Sequence, residues 1–186
     1  MKSSNQPSSP ASSTNIDRLA STFAVALSIA ALFISIIEVS SERAQQRASV
    51  WPHIQISESY SEAGFRVVLT NKGVGPALLG ELTLLHDGQP VADIDQLIID
   101  TIGAENAFSY DRYSMSNPGN SVVAPGESIN LFGVGWDDSS RQLIRAWNGR
   151  IDIATCYCSI HEDCWQASLA EDTTSRIERC DTGVAL

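Results

Sequence analysis

The chain has 186 residues, enough for one ordinary domain plus an appendage but not for two large cores. It carries 12 Lys and Arg against 22 Asp and Glu, a formal net charge of −10. From residue 50 onward the balance is 8 against 19, a net charge of −11, and such a surface repels nucleic-acid phosphates and anionic lipid headgroups.

Residues 1–15, MKSSNQPSSPASSTN, are rich in Ser, Pro and Asn and cannot bury enough apolar surface to offset their chain entropy; a disordered tail is expected. From Leu19 to Ile37, LASTFAVALSIAALFISII, no charge occurs. Nineteen helical residues reach roughly 28 Å, close to the hydrocarbon thickness of a bilayer. A cleaved signal peptide has a shorter apolar core followed by a small-x-small site, whereas Glu38-Val39-Ser40-Ser41-Glu42-Arg43 follows here. The expectation is therefore an uncleaved signal-anchor. Its single-pass transmembrane helix covers 16–48, with the lipid span at about 19–37 and a juxtamembrane extension stopped by Trp51-Pro52.

Lys2 and Arg18 before the span tie with Arg43 and Arg47 after it, so the amino group and the short leading tail tip the orientation. The expected topology has the N-terminus in the cytoplasm, the helix in the inner membrane and the C-terminal domain outside. Ser21, Ala24, Ser28, Ala31 and Ser35 recur at spacings of 3, 4, 3 and 4, a seam of small residues that suits helix association in lipid.

Beyond His53 the hydrophobic period changes to that of strands. HIQISES and FRVVLTN flank the turn-like SEAG, and KGVGP is a loop. LLGELTLLH leads through Asp87-Gly88, a strong hairpin signal, into QPVA. IDQLIIDTI (94–102) fits a short helix with apolar residues at 94, 97, 98 and 102, and the polar stretch 103–120 follows as a loop. SVV, APGE and SINLFGV read as strand, turn and strand. Asp137 or Asp138 caps a helix that runs to Trp147 and buries Leu143, Ile144 and Trp147. RIDIATCYCS and CWQAS are the last two strands, joined by IHED, and 171–186 is a C-terminal tail. Seven or eight short strands with one or two inserted helices, over residues 50–170, predict a mainly β chain arranged as an antiparallel sandwich.

FRVVLTNKGVGPALLGELTLLHDGQPV resembles the "strand, N-x-G-x-x-P/A, strand" segment of bacterial immunoglobulin-like sandwich domains, and APGESINL is similar to their "PGE, strand" element. With one leading membrane helix, the layout resembles small bacterial single-pass membrane proteins that carry such a domain. The motif reads as turn chemistry, with Asn71 and Gly73 suited to positive φ and Pro76 ending the pairing. The resemblance implies the immunoglobulin-like fold and no particular activity.

Cys156, Cys158, Cys164 and Cys180 all lie in the last 31 residues. A hairpin centred on His161 places Cys158 opposite Cys164, at a Cα separation compatible with a disulfide. Cys156 then points to the same face, leaving Cys180 to return from the tail and bridge it. The alternative is a metal site of Cys156, Cys158, Cys164 and Cys180, or with His161 replacing one of them, although C-x-C on a strand wraps a tetrahedron poorly. Disulfides suit an oxidising compartment.

His53, His86 and His161 have no Ser or Cys partner in a nucleophile motif and read as solvated. Asp93, Asp95 and Asp100 lack the Gly and Glu of a calcium loop and read as a solvated helix face. Phe108, Tyr110 and Tyr113 in AFSYDRYSMSNPGN are candidates for a recognition loop, or else rings buried on the sandwich. Trp136, Trp147 and Trp165 read as core. No catalytic constellation and no cofactor motif appear. The expected function is a non-enzymatic interaction or scaffold module of the bacterial envelope. Its partners are the lipid bilayer through the helix, and a protein or a second copy through the domain. A metal- or redox-responsive sensor built on the four cysteines is the alternative.

Overall fold

A computed structural model describes residues 13–171 and 174–180. The chain divides into two compact units, Met1–Gln46 and Arg47–Leu186. Of the tail expected over 1–15, residues 1–12 lie outside the described part, and 13–15 already belong to the first helix.

Helix α1 (Ser13–Ser49) has 37 residues, a length of about 55 Å at 1.5 Å per residue. Its segment Asp17–Ser49 is long and apolar enough to cross a membrane, with a mean hydropathy of 2.3 over its most apolar stretch. Every side chain from Asp17 to Ser49 is exposed. Its apolar side chains run round the whole helix rather than along one stripe.

The second unit is mainly β, with two antiparallel sheets and two short helices. Sheet A has the order β1-β2-β7-β5: β1 (Ile54–Ser61), β2 (Gly64–Asn71), β7 (Ser128–Val134) and β5 (Tyr113–Met115). Sheet B has the order β10-β9-β8-β3-β4: β10 (Ser175–Ile177), β9 (Cys164–Ser168), β8 (Ile151–Cys158), β3 (Ala77–His86) and β4 (Gln89–Val91), with β6 (Val122–Val123) beside the start of β3. Two of these strands, β5 in the polar stretch and β10 in the tail, lie where a loop and a loose end were expected. Each is three residues long and mostly exposed, so neither leaves a hydrophobic alternation to read.

Turn chemistry fixes the registers. Asp87 and Gly88, at φ 49° and 78°, make the tight turn between β3 and β4. Gly64 opens β2 at φ 150° with Val134 O only 2.1 Å from where a Cβ would sit, so only glycine lets β2 and β7 close there. Bulges interrupt β2 against β7 after Val67 and β3 against β8 after Leu79.

Helix α2 (Ile94–Ile102) is capped by the Asp93 carboxylate, which accepts from the Asp95 and Gln96 amides. Helix α3 (Asp138–Trp147) is capped by Asp137 in a reciprocal box with Ser140. Of the apolar positions expected to face inward, Leu97, Ile98, Ile102, Leu143 and Trp147 are buried, while Ile94 and Ile144 are half-buried.

Both sheets and both helices feed one buried cluster. At its centre Phe65, Phe132 and Trp147 touch, with ring centroids 5.3 to 6.4 Å apart. Trp136 and Trp165, expected in the core, are only half-buried against it.

Asn71 has no exposed surface, and every polar atom of its side chain is engaged. Its amide donates to Gly75 O (2.8 Å) and Val123 O (3.1 Å); its Oδ1 accepts from the His53 and Gly73 amides (3.2 and 3.0 Å). Lys72 N donates to His53 O, and Val74 N and Gly75 N donate to Trp51 O. The N-x-G motif is therefore a clamp on the segment Val50–His53. This corrects the turn-chemistry reading, because neither Asn71 nor Gly73 takes a positive φ. Gly73 and Gly75 are required by close approach: a Cβ on Gly73 would meet Trp51 O at 2.4 Å, and one on Gly75 would meet Val50 O at 1.8 Å.

Candidate functional site

The first strand residues of β2, the last of β7 and the start of β5 surround an open groove of about 350 Å³ on the outward face of sheet A. Strand alternation puts Ser59, Arg66, Gly133 and Ser114 in one row across four strands, each opposite the next in register. Gly133 is the groove's floor. A side chain there would come within 2.9 Å of Asn130 Nδ2 and Ser114 Oγ, so the hollow exists because this position has none.

The walls are polar. Asn130 Nδ2 donates to Ser114 Oγ (3.1 Å), and Ser114 Oγ donates to Gly133 O (3.4 Å). Asn130 Oδ1 is buried with no hydrogen-bond partner, an unusual state for an amide oxygen. Arg66 and Arg112 both line the groove, with Asp111 between the β5 residues and the loop. Arg112 is committed to the fold: it pairs with Asp137, the cap of α3, and lies 5.2 Å from the Phe108 ring. Arg66 is exposed, and no carboxylate among the described residues neutralises it.

The three aromatic loop candidates separate here. Phe108 is only 6% exposed and belongs to the core, as in the alternative of a ring buried on the sandwich. Tyr113 lines the groove, but its ring packs on Phe132 and its hydroxyl donates to Asp95 Oδ1 (3.0 Å). Burial first, and then that carboxylate, push its phenol up to about 12, so it stays neutral at ordinary pH. Tyr110 alone projects freely, 79% exposed. Arg66 and Asn130 were missed in the sequence: alternation in FRVVLTN only separates Arg66 from Phe65, Val67 and Leu69, and in SINLFGV it groups Asn130 with Phe132 and Val134 until the bulge in the β2–β7 register undoes that grouping. Asp95 holds Tyr113, Asp93 caps α2 and Asp100 accepts from Gln96, which gives all three carboxylates structural roles.

On sheet B, Cys158 and Cys164 face each other across β8 and β9 with sulfurs 2.07 Å apart. Cys156 and Cys180 lie at disulfide distance as well, with Cα atoms 5.7 Å apart. Arg176 of β10 pairs with Asp163 beside this clasp. His161 is exposed in the intervening turn, and among the described residues no three His, Cys, Asp or Glu converge on one point. His53 and His86 are half-buried, each with one ring nitrogen buried and without a hydrogen bond, so the solvated reading fails for both. Tyr157, stacked on Trp165 at 5.6 Å, has its phenol pushed up by burial.

Along α1 the seam Ser21, Ala24, Ser28, Ala31 and Ser35 is exposed. Ser28 and Ser35 turn their hydroxyls back to the Ala24 and Ala31 carbonyls, at 2.8 and 3.0 Å. Self-satisfied hydroxyls are compatible with a lipid surroundings or a helix neighbour alike. Compared with known protein-family models and with curated proteins, the chain matches none.

Proposed function

We propose that this chain is a membrane-anchored, non-enzymatic interaction module of the bacterial envelope, in which an immunoglobulin-like domain offers the sheet A groove and its Tyr110 loop to a protein partner. The strand orders support the domain type. β1-β2-β7-β5 corresponds to A-B-E-D of an immunoglobulin sandwich, and β9-β8-β3-β4 corresponds to G-F-C-C′. The apolar helix supports anchoring, and four cysteines paired at disulfide distance suit the oxidising side of the inner membrane.

The observation that carries the reading is the groove itself: a polar hollow with an uncommitted arginine, lined on one side by Asp111 and Arg112, the residues that follow exposed Tyr110. Loops mounted on a rigid sandwich are where such domains recognise partners. The test is photo-crosslinking in intact cells, with a benzophenone side chain at Tyr110 and, as the control, at exposed Gln166 on sheet B. A discrete protein adduct at Tyr110 and none at Gln166 is expected. Equal or absent adducts at the two positions overturn the reading.

A further inference from the structure

We infer that the sheet A groove is a receptor for a peptide carboxylate, an inference that rests on the proposed partner-recognition role and specifies its chemistry. The domain is strongly acidic, and of the two guanidinium groups that line this hollow Arg112 is already paired with Asp137, but that of Arg66 has no carboxylate partner among the described residues, and the one lining carboxylate, Asp111, accepts from Ser109. A planar guanidinium fork matches a carboxylate by two parallel hydrogen bonds. Beside it stand the Ser114 hydroxyl, exposed at the rim, and the Asn130 amide.

Asn130 Oδ1 narrows the ligand class. It has no hydrogen-bond partner in the fold and lines the same groove as Arg66, the guanidinium there that is not already paired. A peptide supplies both complements at once, a carboxylate for Arg66 and a backbone N–H that this oxygen can accept after a small rotation of the side chain. An inorganic anion without an O–H, such as sulfate, supplies only the first. Net charge points the same way: every further negative charge on a ligand meets the repulsion of the whole domain, so a singly charged carboxylate is favoured over a phosphate. The size agrees too. About 350 Å³ is at the lower end for ligand sites, room for a chain end or an acidic side chain with its neighbours.

The experiment titrates the full chain in nanodiscs of zwitterionic lipid with three labelled peptides. These are acetyl-Ala-Ala-Ala with a free C-terminal carboxylate, acetyl-Ala-Glu-Ala amide, and neutral acetyl-Ala-Gln-Ala amide. At least one acidic peptide is expected to bind tenfold or more tightly than the neutral one, and the tighter of the two identifies a chain end or a side chain as the source. Arg66→Gln is expected to remove that preference. Gly133→Ala, which fills the floor without changing charge, is expected to weaken the acidic peptide at least fivefold with an unchanged circular dichroism spectrum. Equal binding of all three peptides, no binding, full retention in Arg66→Gln, or displacement by equimolar inorganic phosphate overturns the inference. A Tyr110 adduct that persists without any carboxylate preference sinks this inference alone, whereas loss of the adduct with the preference intact sinks the partner reading alone.

Discussion

The two ends of β2 are about 24 Å apart, and they are built by opposite means. At Asn71 the chain is cross-braced: a fully buried amide makes four hydrogen bonds, two glycines admit backbone at close range, and the nearby β8–β9 hairpin has its cysteines at disulfide distance. At Gly64 and Arg66 the same strand opens into a groove with an unneutralised cation and an unpaired amide oxygen. At the Asn71 end the amide of the strand's last residue is fully spent on the fold, although the neighbouring His53 Nδ1 is buried and unpaired; at the other end an amide oxygen is left over beside an unpaired guanidinium. A buried polar atom without a partner costs free energy that a ligand can recover, and in the groove such an atom lies beside an unpaired cation, which is why the proposed binding place is there.

The contrast breaks first at Asn71. Asn71→Ala strands the His53 and Gly73 amides and the Gly75 and Val123 carbonyls, and is expected to cost about 3 kcal/mol or more. Urea unfolding followed by tryptophan fluorescence measures it. A loss below about 1 kcal/mol would show that the clamp does not hold the Val50–His53 segment.

The cysteines sharpen the braced side. Chain-entropy arithmetic gives about 3.5 kcal/mol for the Cys156–Cys180 link, at a sequence separation of 24, and about 2 kcal/mol for Cys158–Cys164, at a separation of 6. Double alanine variants should therefore rank in that order. Only Cys156→Ala with Cys180→Ala should also speed proteolysis around β10, which is held to β9 by three residue pairs and the Arg176–Asp163 bridge. The reverse order would mean that the tail is held by something other than its cysteine.

The smallest effect belongs to the groove. Tyr113→Phe removes one half-buried hydrogen bond to Asp95 and is expected to cost about 1 kcal/mol in thermal or urea unfolding. The phenol is raised in the fold to about 12, so the contribution is full below the ordinary tyrosine value and is lost as pH climbs through about 12. A Tyr113→Phe difference that stays flat between pH 9 and 12 would contradict the raised phenol.

Much of the fold was legible because it rests on local rules. Asp87-Gly88 forces a tight turn, IDQLIIDTI has the period of a helix, and Asp137 is a capping residue whichever domain it serves. Even the facing of Cys158 and Cys164 follows from the length of one hairpin. The short strands β5 and β10 were not legible, since three exposed residues carry no pattern and exist as strands only because β7 and β9 offer an edge. Nor was the meaning of N-x-G-x-G-P, which depends on a segment eighteen residues upstream in the chain.

The sequence by itself determined the partition into an uncharged nineteen-residue run and an acidic β-rich remainder, because hydropathy and strand period are properties of neighbouring residues. Alternation in FRVVLTN also separates Arg66 from the face of Phe65, Val67 and Leu69. Tertiary structure alone decided that Arg66, Gly133 and Ser114, drawn from positions up to 67 residues apart, stand in one row, and that Phe108 goes inward while Tyr110 stays out. Register between distant strands sets that juxtaposition, and register is fixed by the bulge after Val67 and the glycine contact at Gly64, neither of which any single segment encodes.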